Sequence, residues 1–293
     1  MSLDMFNIFK HRESKVFFIR GYAKSGTHWI CNLMNLHPHV SCRGEFQLER
    51  LFEAFEATKA YEFSLLCSDK RYRGVFTNRY HEFIKQLIID VCRSAPLCGD
   101  RTPCPLRSTV IPGVKTLYIS RDGRDAMVSW VYHAMNEDIV DFPQAPRHKE
   151  LHRSDANYFE EHRHELLACE TTVRAFGRQW NDVVRDDFDT MNAADEGALP
   201  LEYHWIRYED LHLDAETERR KAYQFLGLDP DLARPISQLE KPGFGSTETN
   251  RPDSFFRRGQ AGTWREYFTE EQLSWFESEA RDALILVGSQ PET

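Results

Sequence analysis

The stretch Lys15-Val16-Phe17-Phe18-Ile19-Arg20-Gly21-Tyr22-Ala23-Lys24-Ser25-Gly26-Thr27-His28-Trp29 changes its period halfway along. Its first six residues are mostly β-branched or aromatic, the composition of a short buried strand. A small-residue turn beginning at Gly21 follows. From Thr27 the apolar residues Trp29, Ile30, Leu33, Met34 and Leu36 recur on one helical face until His37-Pro38 ends the pattern. The order is strand, loop, helix. A glycine-bearing loop that opens a helix points backbone N–H groups and the positive end of the helix dipole at one place, and Lys24 adds a full charge. The loop is therefore built for an anion. It is not a Walker A loop, which needs Gly immediately before Lys-Ser, because Ala23 stands there.

Similar units recur. Val114–Ser120 reads as a strand, followed by the turn Arg121-Asp122-Gly123 and a helical run through Met127, Val128, Val131, Tyr132 and Met135. Glu202–Arg207 reads as a third strand. Amphipathic helices lie between, one presenting Leu48, Leu51, Phe52 and Phe55, another Val173, Phe176, Trp180 and Val183. Strands alternating with helices predict an α/β fold: one domain over residues 1–293, with a central, mostly parallel β-sheet flanked by helices and ligands at the C-terminal strand ends. The polar stretch from Glu137 to His164, which contains Pro143 and Pro146, is expected to form a mobile surface excursion.

Composition narrows the function. With 41% hydrophobic and 28% charged residues the chain has the make-up of an ordinary globular protein. A net charge of -9 argues against a broad nucleic-acid surface, which needs clustered Lys and Arg. No apolar run has the length of a membrane span and the N-terminus lacks the apolar core of a secretory signal, so a cytoplasmic protein with no membrane partner is expected. The cysteines Cys31, Cys42, Cys67, Cys92, Cys98, Cys104 and Cys169 are odd in number and scattered, which suits a reducing compartment rather than disulfides or zinc. His148, His152, His162 and His164 lack a metal-ligand pattern and read as a solvated helix face.

Lys24-Ser25-Gly26-Thr27-His28-Trp29 resembles the Lys-Ser-Gly-Thr-Thr-Trp loop of sulfotransferases that use 3'-phosphoadenosine 5'-phosphosulfate (PAPS), with His28 at the second threonine. Tyr118 to Trp130 resembles that family's 3'-phosphate segment, whose Arg and Ser fall on Arg121 and Ser129. Phe256 to Arg265 resembles its Arg-Lys-Gly-x-x-Gly-x-Trp signature, which assigns Arg257, Arg258 and Gly259 to the same phosphate. Tyr208-Glu209-Asp210-Leu211 resembles an element whose Tyr lies near the adenosine, and Trp29 offers an apolar face for adenine. The resemblance runs from about Val16 to Phe268. It implies a P-loop-like phosphosulfate loop, PAPS as donor, no metal, and sulfuryl transfer to an acceptor hydroxyl on a small molecule, carbohydrate or peptide.

The resemblance also implies the chemical roles. Lys24 would neutralise the bridging oxygen as it leaves. The cytosolic branch takes its base from a His in a Lys-Thr-His-x-Pro segment, whereas Gly99-Asp100-Arg101-Thr102-Pro103 has none. That stretch is closer to the Gly-Glu-Lys-Thr-Pro element of the carbohydrate and tyrosyl-protein branches, with Arg101 in the lysine's place. Those branches use a Glu, here Glu45. The residues leave alternatives open: Glu45 could serve only the dipole of a helix over Phe46 to Phe55, His28 could act as base or as a donor to the sulfate, and His133 reads as structural. Two other functions stay open. A P-loop kinase or nucleotide hydrolase would need the missing Walker A loop, and an inactive adenosine-bisphosphate-binding protein would share the fold. Oligomeric state is not legible.

Overall fold

The computed structural model describes residues 15–61, 68–93, 95–136, 145–155, 157–239 and 260–292. Five strands form its sheet: β1 (Lys15–Arg20), β2 (Val40–Arg43), β3 (Leu97–Arg101), β4 (Lys115–Ser120) and β5 (Glu202–Arg207), in the order β2-β3-β1-β4-β5. Every pairing is parallel, so the expected mostly parallel sheet is wholly so among the described residues. The helices are α1 (Thr27–Met34), α2 (Leu48–Ala60), α3 (Lys70–Cys92), α4 (Gly123–Asn136), α5 (Ala145–Ser154), α6 (Tyr158–Glu161), α7 (Arg163–Leu166), α8 (Glu170–Asp195), α9 (Tyr208–Leu213), α10 (Ala215–Leu226) and α11 (Glu270–Leu286).

Alternation along β1 explains the layers. Phe17 and Ile19 point to one face, where they meet Trp29, Ile30 and Leu33 of α1 and Tyr223 of α10. Val16 and Phe18 point to the other, against Phe52 of α2 and Ile84 and Ile88 of α3. A strand buried on both sides reads as a continuous apolar run, which is why β1 and β4 stood out in the sequence. A further core joins α4, α8 and α11 around Trp180 and Phe276, and the Trp180 ring leaves no room for a side chain at Gly123: a Cβ there would lie 2.5 Å from Trp180 Cδ2. Because β1 lies between β3 and β4, the chain crosses from one side of β1 to the other after β3. The crevice beyond the C-terminal ends of β1 and β4 is thus a topological switch point, the usual ligand site of open α/β sheets.

Several expectations are corrected. The helix after Glu45 begins at Leu48 and buries Leu48, Phe52 and Phe55, leaving Leu51 40% exposed. On α8 the core residue is Val184, while Val183 is only partly buried. Residues 137–144 of the expected excursion lie outside the described residues, and the chain from Ala145 to Ser154 is helical. His152 is not on a solvated face: its ring is 1% exposed, lies between Tyr132 and Phe159, and is held neutral by burial, which lowers its pKa. His148 pairs instead with the Tyr158 hydroxyl at 2.7 Å, and His164 with the Tyr267 carbonyl at 3.0 Å. These three histidines therefore sit in separate surroundings. No described helix is long and apolar enough to cross a membrane.

Candidate active site

The loop after β1 is shaped by close approaches. Gly21 has φ +150°, and any Cβ there would collide with the Ile119 carbonyl oxygen, so the loop passes tightly over the end of β4. Ser25 N–H donates to the Tyr22 carbonyl at 3.1 Å and closes the turn, with Lys24 in the left-handed region at φ 69°. Gly26 caps α1 at φ 102°, and a Cβ there would come within 2.6 Å of Tyr208 Cδ2. Trp29 N–H donates to the Gly26 carbonyl at 2.9 Å as the helix begins.

Arg121, at the end of β4, ties this loop to the C-terminal segment. Its Nη1 donates to the Lys24 carbonyl at 3.1 Å, its Nη2 to the Gln260 carbonyl at 3.1 Å, and its guanidinium lies 4.1 Å from the Tyr208 ring centre. Tyr208 is completely buried, with Trp29 packed edge-on at 5.6 Å. It thus supports Arg121 and Gly26 from beneath. Ser129 lies half-buried two turns further along α4. Arg257, Arg258 and Gly259 lie outside the described residues, but Gln260, the next residue, rests on Arg121.

A set of acids and one arginine, missed in the sequence, fixes these parts to each other. Asp125 is fully buried and accepts from Gly262 N–H at 2.6 Å, Trp264 N–H at 2.9 Å and the Thr263 hydroxyl at 3.1 Å. Arg124 pairs with Asp122 and with Glu277, each at 2.6 Å, and lies 3.8 Å over the Trp264 ring. Glu209 accepts from Asp122 N–H at 3.0 Å, and burial pushes its pKa up. The alternating charges of Arg121-Asp122-Gly123-Arg124-Asp125 were the available signal. Apart from the Arg124–Asp122 pair, however, their partners lie far away in sequence.

On the other side of the loop, the C-terminal ends of β2 and β3 and the first turn of α1 bring three predicted residues together. Glu45 Oε1 is 3.0 Å from Arg101 Nη1 and 3.9 Å from His28 Nε2, and Glu45 Oε2 accepts from Gln47 at 3.1 Å. Arg101 is 8% exposed against 31% for the Glu45 side chain, so the pair has a buried cation below and a reachable carboxylate above. Beneath it a second pair, Arg20 and Asp100, is fully buried at 2.8 Å. Arg20 also donates to Thr109 Oγ1 and to two backbone carbonyls. Its charge is consumed by the fold.

The residues fit a phosphosulfate. Ser25 Oγ and Arg121 Nε are buried with no hydrogen-bond partner, in a place where the N-terminus of α1, Lys24 and Arg121 concentrate positive potential. Buried polar groups of this kind normally carry a partner, and anion oxygens would supply one.

The Sulfotransferase domain family model matches residues 14–284. The chain therefore belongs to the sulfotransferase family and is a PAPS-dependent enzyme. Solved structures to which it is similar include mouse sulfotransferase SULT7A1 complexed with PAP, at 17% identity over 93% of this chain and 84% of that one, TM-score 0.49. Retinol dehydratase in complex with androsterone and PAP is 19% identical over 92% and 80%, TM-score 0.44. A sulfotransferase from Alicyclobacillus acidocaldarius is 14% identical over 94% and 96%, TM-score 0.40. A comparison with curated protein sequences gave no match.

Proposed function

We propose that this sulfotransferase works as one domain over residues 1–293 and divides the reaction between the two sides of the loop after β1. Ser25, Gly26, Thr27 and the N-terminus of α1 take the 5'-phosphosulfate. Lys24 meets the charge that grows on the bridging oxygen as the S–O bond breaks, where a cation does most for the transition state. Arg121 and Ser129, with Arg257, Arg258 and Gly259, read the 3'-phosphate, the guanidinium offering a planar fork to its oxygens. Trp29 and the fully buried Tyr208 back the adenosine side of the site from beneath Gly26 and Arg121.

Glu45 removes the proton of the acceptor hydroxyl. The observation that carries this reading is the Arg101–Glu45 contact at 3.0 Å with His28 only 3.9 Å away. A half-exposed carboxylate is thereby fixed beside the loop rather than left to swing. Arg101 orients it, and His28 is placed to donate to the transferred group. The free cysteines among the described residues suit a reducing compartment, the cytoplasm.

The test pairs binding with turnover. Adenosine 3',5'-bisphosphate should bind with EDTA present and raise the melting temperature more than ATP does, since ATP lacks the 3'-phosphate. Glu45→Gln should bind the bisphosphate normally and lose turnover by about a hundredfold or more, as general-base removal commonly does. A fully active Glu45→Gln enzyme with an inactive His28→Ala enzyme would move the base to His28.

A further inference from the structure

A cavity of about 650 Å³ opens beside the donor loop. Ala23, the residue before Lys24, lines it, as does Pro103, two residues beyond Arg101. The cavity therefore starts next to both halves of the proposed reaction centre. Its size falls within the roughly 300–1,000 Å³ of small-molecule sites.

The walls are specific. Tyr22, Trp130 and Phe176 form an aromatic corner, with Phe176 5.7 Å from Tyr22 and 5.6 Å from Trp130. Burial pushes the Tyr22 phenol up to about 12, so the ring stays neutral. Facing them is one side of α8, where Thr171, Ala175, Gln179 and Val183 come at successive four-residue steps and so share a face. Among the described residues, none of those lining it carries a charge. The polar groups are few and neutral, chiefly the hydroxyls of Thr171 and Thr172 and the Gln179 amide. This explains why Val183 departs from the core stripe: it lines the cavity.

We infer that this cavity holds the acceptor and that the acceptor is an uncharged small molecule with an apolar body and a single reacting hydroxyl, selected by Trp130, Phe176 and the α8 face. A sulfated sugar chain or an acidic tyrosyl peptide finds no complementary charge among the described lining residues, and burying its charges without partners would be costly. The inference rests on the sulfuryl-transfer reading above. In the step itself the acceptor oxygen forms the new O–S bond while the S–O bond to the 5'-phosphate breaks. The hydroxyl proton passes to Glu45, and the electron pair of the broken bond stays on the bisphosphate beside Lys24.

The experiment uses the full chain and labelled PAPS with four acceptors: 2-naphthol, 1-octanol, lactose and an acidic tyrosyl peptide. The expected result is turnover of 2-naphthol or 1-octanol with kcat/KM at least tenfold above that for lactose or the peptide. Ala175 is exposed, so Ala175→Trp should fold, fill part of the cavity, and lower that kcat/KM at least tenfold through KM. Its bisphosphate Kd should stay within twofold of the parent's. Preference for lactose or the peptide, no turnover of either apolar acceptor, or an Ala175→Trp enzyme with unchanged KM overturns the inference. Bisphosphate binding by the parent chain in those cases leaves the donor reading standing, whereas failure of the parent to bind bisphosphate sinks that reading instead.

Discussion

Removing the Asp125 carboxyl should undock the C-terminal loop and weaken donor binding without touching a residue assigned to the donor. In Asp125→Ala the two backbone N–H groups of Gly262 and Trp264 and the Thr263 hydroxyl lose their acceptor together. A buried donor left unpaired costs about 1–3 kcal/mol. Gly262 is only partly buried, so water can recover part of the loss, and about 3 kcal/mol in total is a reasonable net. If docking of the segment is favoured by roughly 2 kcal/mol, within the usual span of local opening energies, the variant keeps it docked in about one molecule in six. The bisphosphate Kd should then rise about sixfold, because Gln260, whose carbonyl Arg121 holds, is seated with Gly262–Trp264, and Arg257 and Arg258, proposed for the 3'-phosphate, come just before it in the sequence. Calorimetric titration with adenosine 3',5'-bisphosphate measures the affinity, and hydrogen exchange at 262–264 measures the docking. Asp125→Asn, which keeps one acceptor oxygen but turns an NH₂ toward N–H donors, should fall between parent and Ala variant. An Asp125→Ala protein with a Kd within twofold of the parent and unchanged exchange at 262–264 would refute the reasoning.

Lys24→Ala should cut kcat far more than donor affinity, whereas Arg121→Ala should chiefly raise the bisphosphate Kd; transient kinetics with labelled PAPS separates the two, and equal effects on both parameters would contradict the division of roles. Asp187 makes a pH prediction: burial raises its folded pKa from 3.8 to about 7, although Leu106 N–H donates to it at 2.6 Å. Folding thus favours the protonated form, a contribution fully present below about pH 4 and lost as pH climbs through 7, worth up to about 4 kcal/mol. Asp187→Asn, neutral at every pH, should accordingly raise the melting temperature at pH 8 and leave it nearly unchanged at pH 4, and an equal shift at both values would count against a buried acid.

The sequence announced those parts of the molecule whose cause is local. β1 and β4 are apolar runs bounded by turns, and α1 begins where the period changes, so strand, loop and helix could be placed from neighbouring residues. The strand β3 could not. Its residues Leu97-Cys98-Gly99-Asp100-Arg101 end in two charges, yet all five are buried. Asp100 is buried because Arg20 neutralises it from the next strand. Gly99 is required because a Cβ would meet the Phe17 ring at 2.5 Å, another contact across the sheet. The long helix α3 was passed over as well: Tyr72, Val75, Phe76 and Tyr80 recur at helical spacing, but its first half is largely exposed and its buried residues, Ile84, Ile88 and Cys92, all lie in the second half.

The same division governs the candidate site. Motif spacing identified Arg121, but spacing cannot separate it from Arg20 or Arg124, which also lie at the ends of strands or turns near the loop. What separates them is their partners. Arg20 faces Asp100, and Arg124 faces both Asp122 and Glu277, so each of those charges is already neutralised. The hydrogen bonds of Arg121 among the described residues go to the carbonyls of Lys24 and Gln260, and its Nε stays buried without one. Carbonyl dipoles orient a guanidinium without cancelling its charge. Of three arginines that a sequence presents alike, Arg121 is therefore the one whose electrostatic attraction for a phosphate dianion survives folding, and its two carbonyl contacts place that attraction between the donor loop and the C-terminal segment.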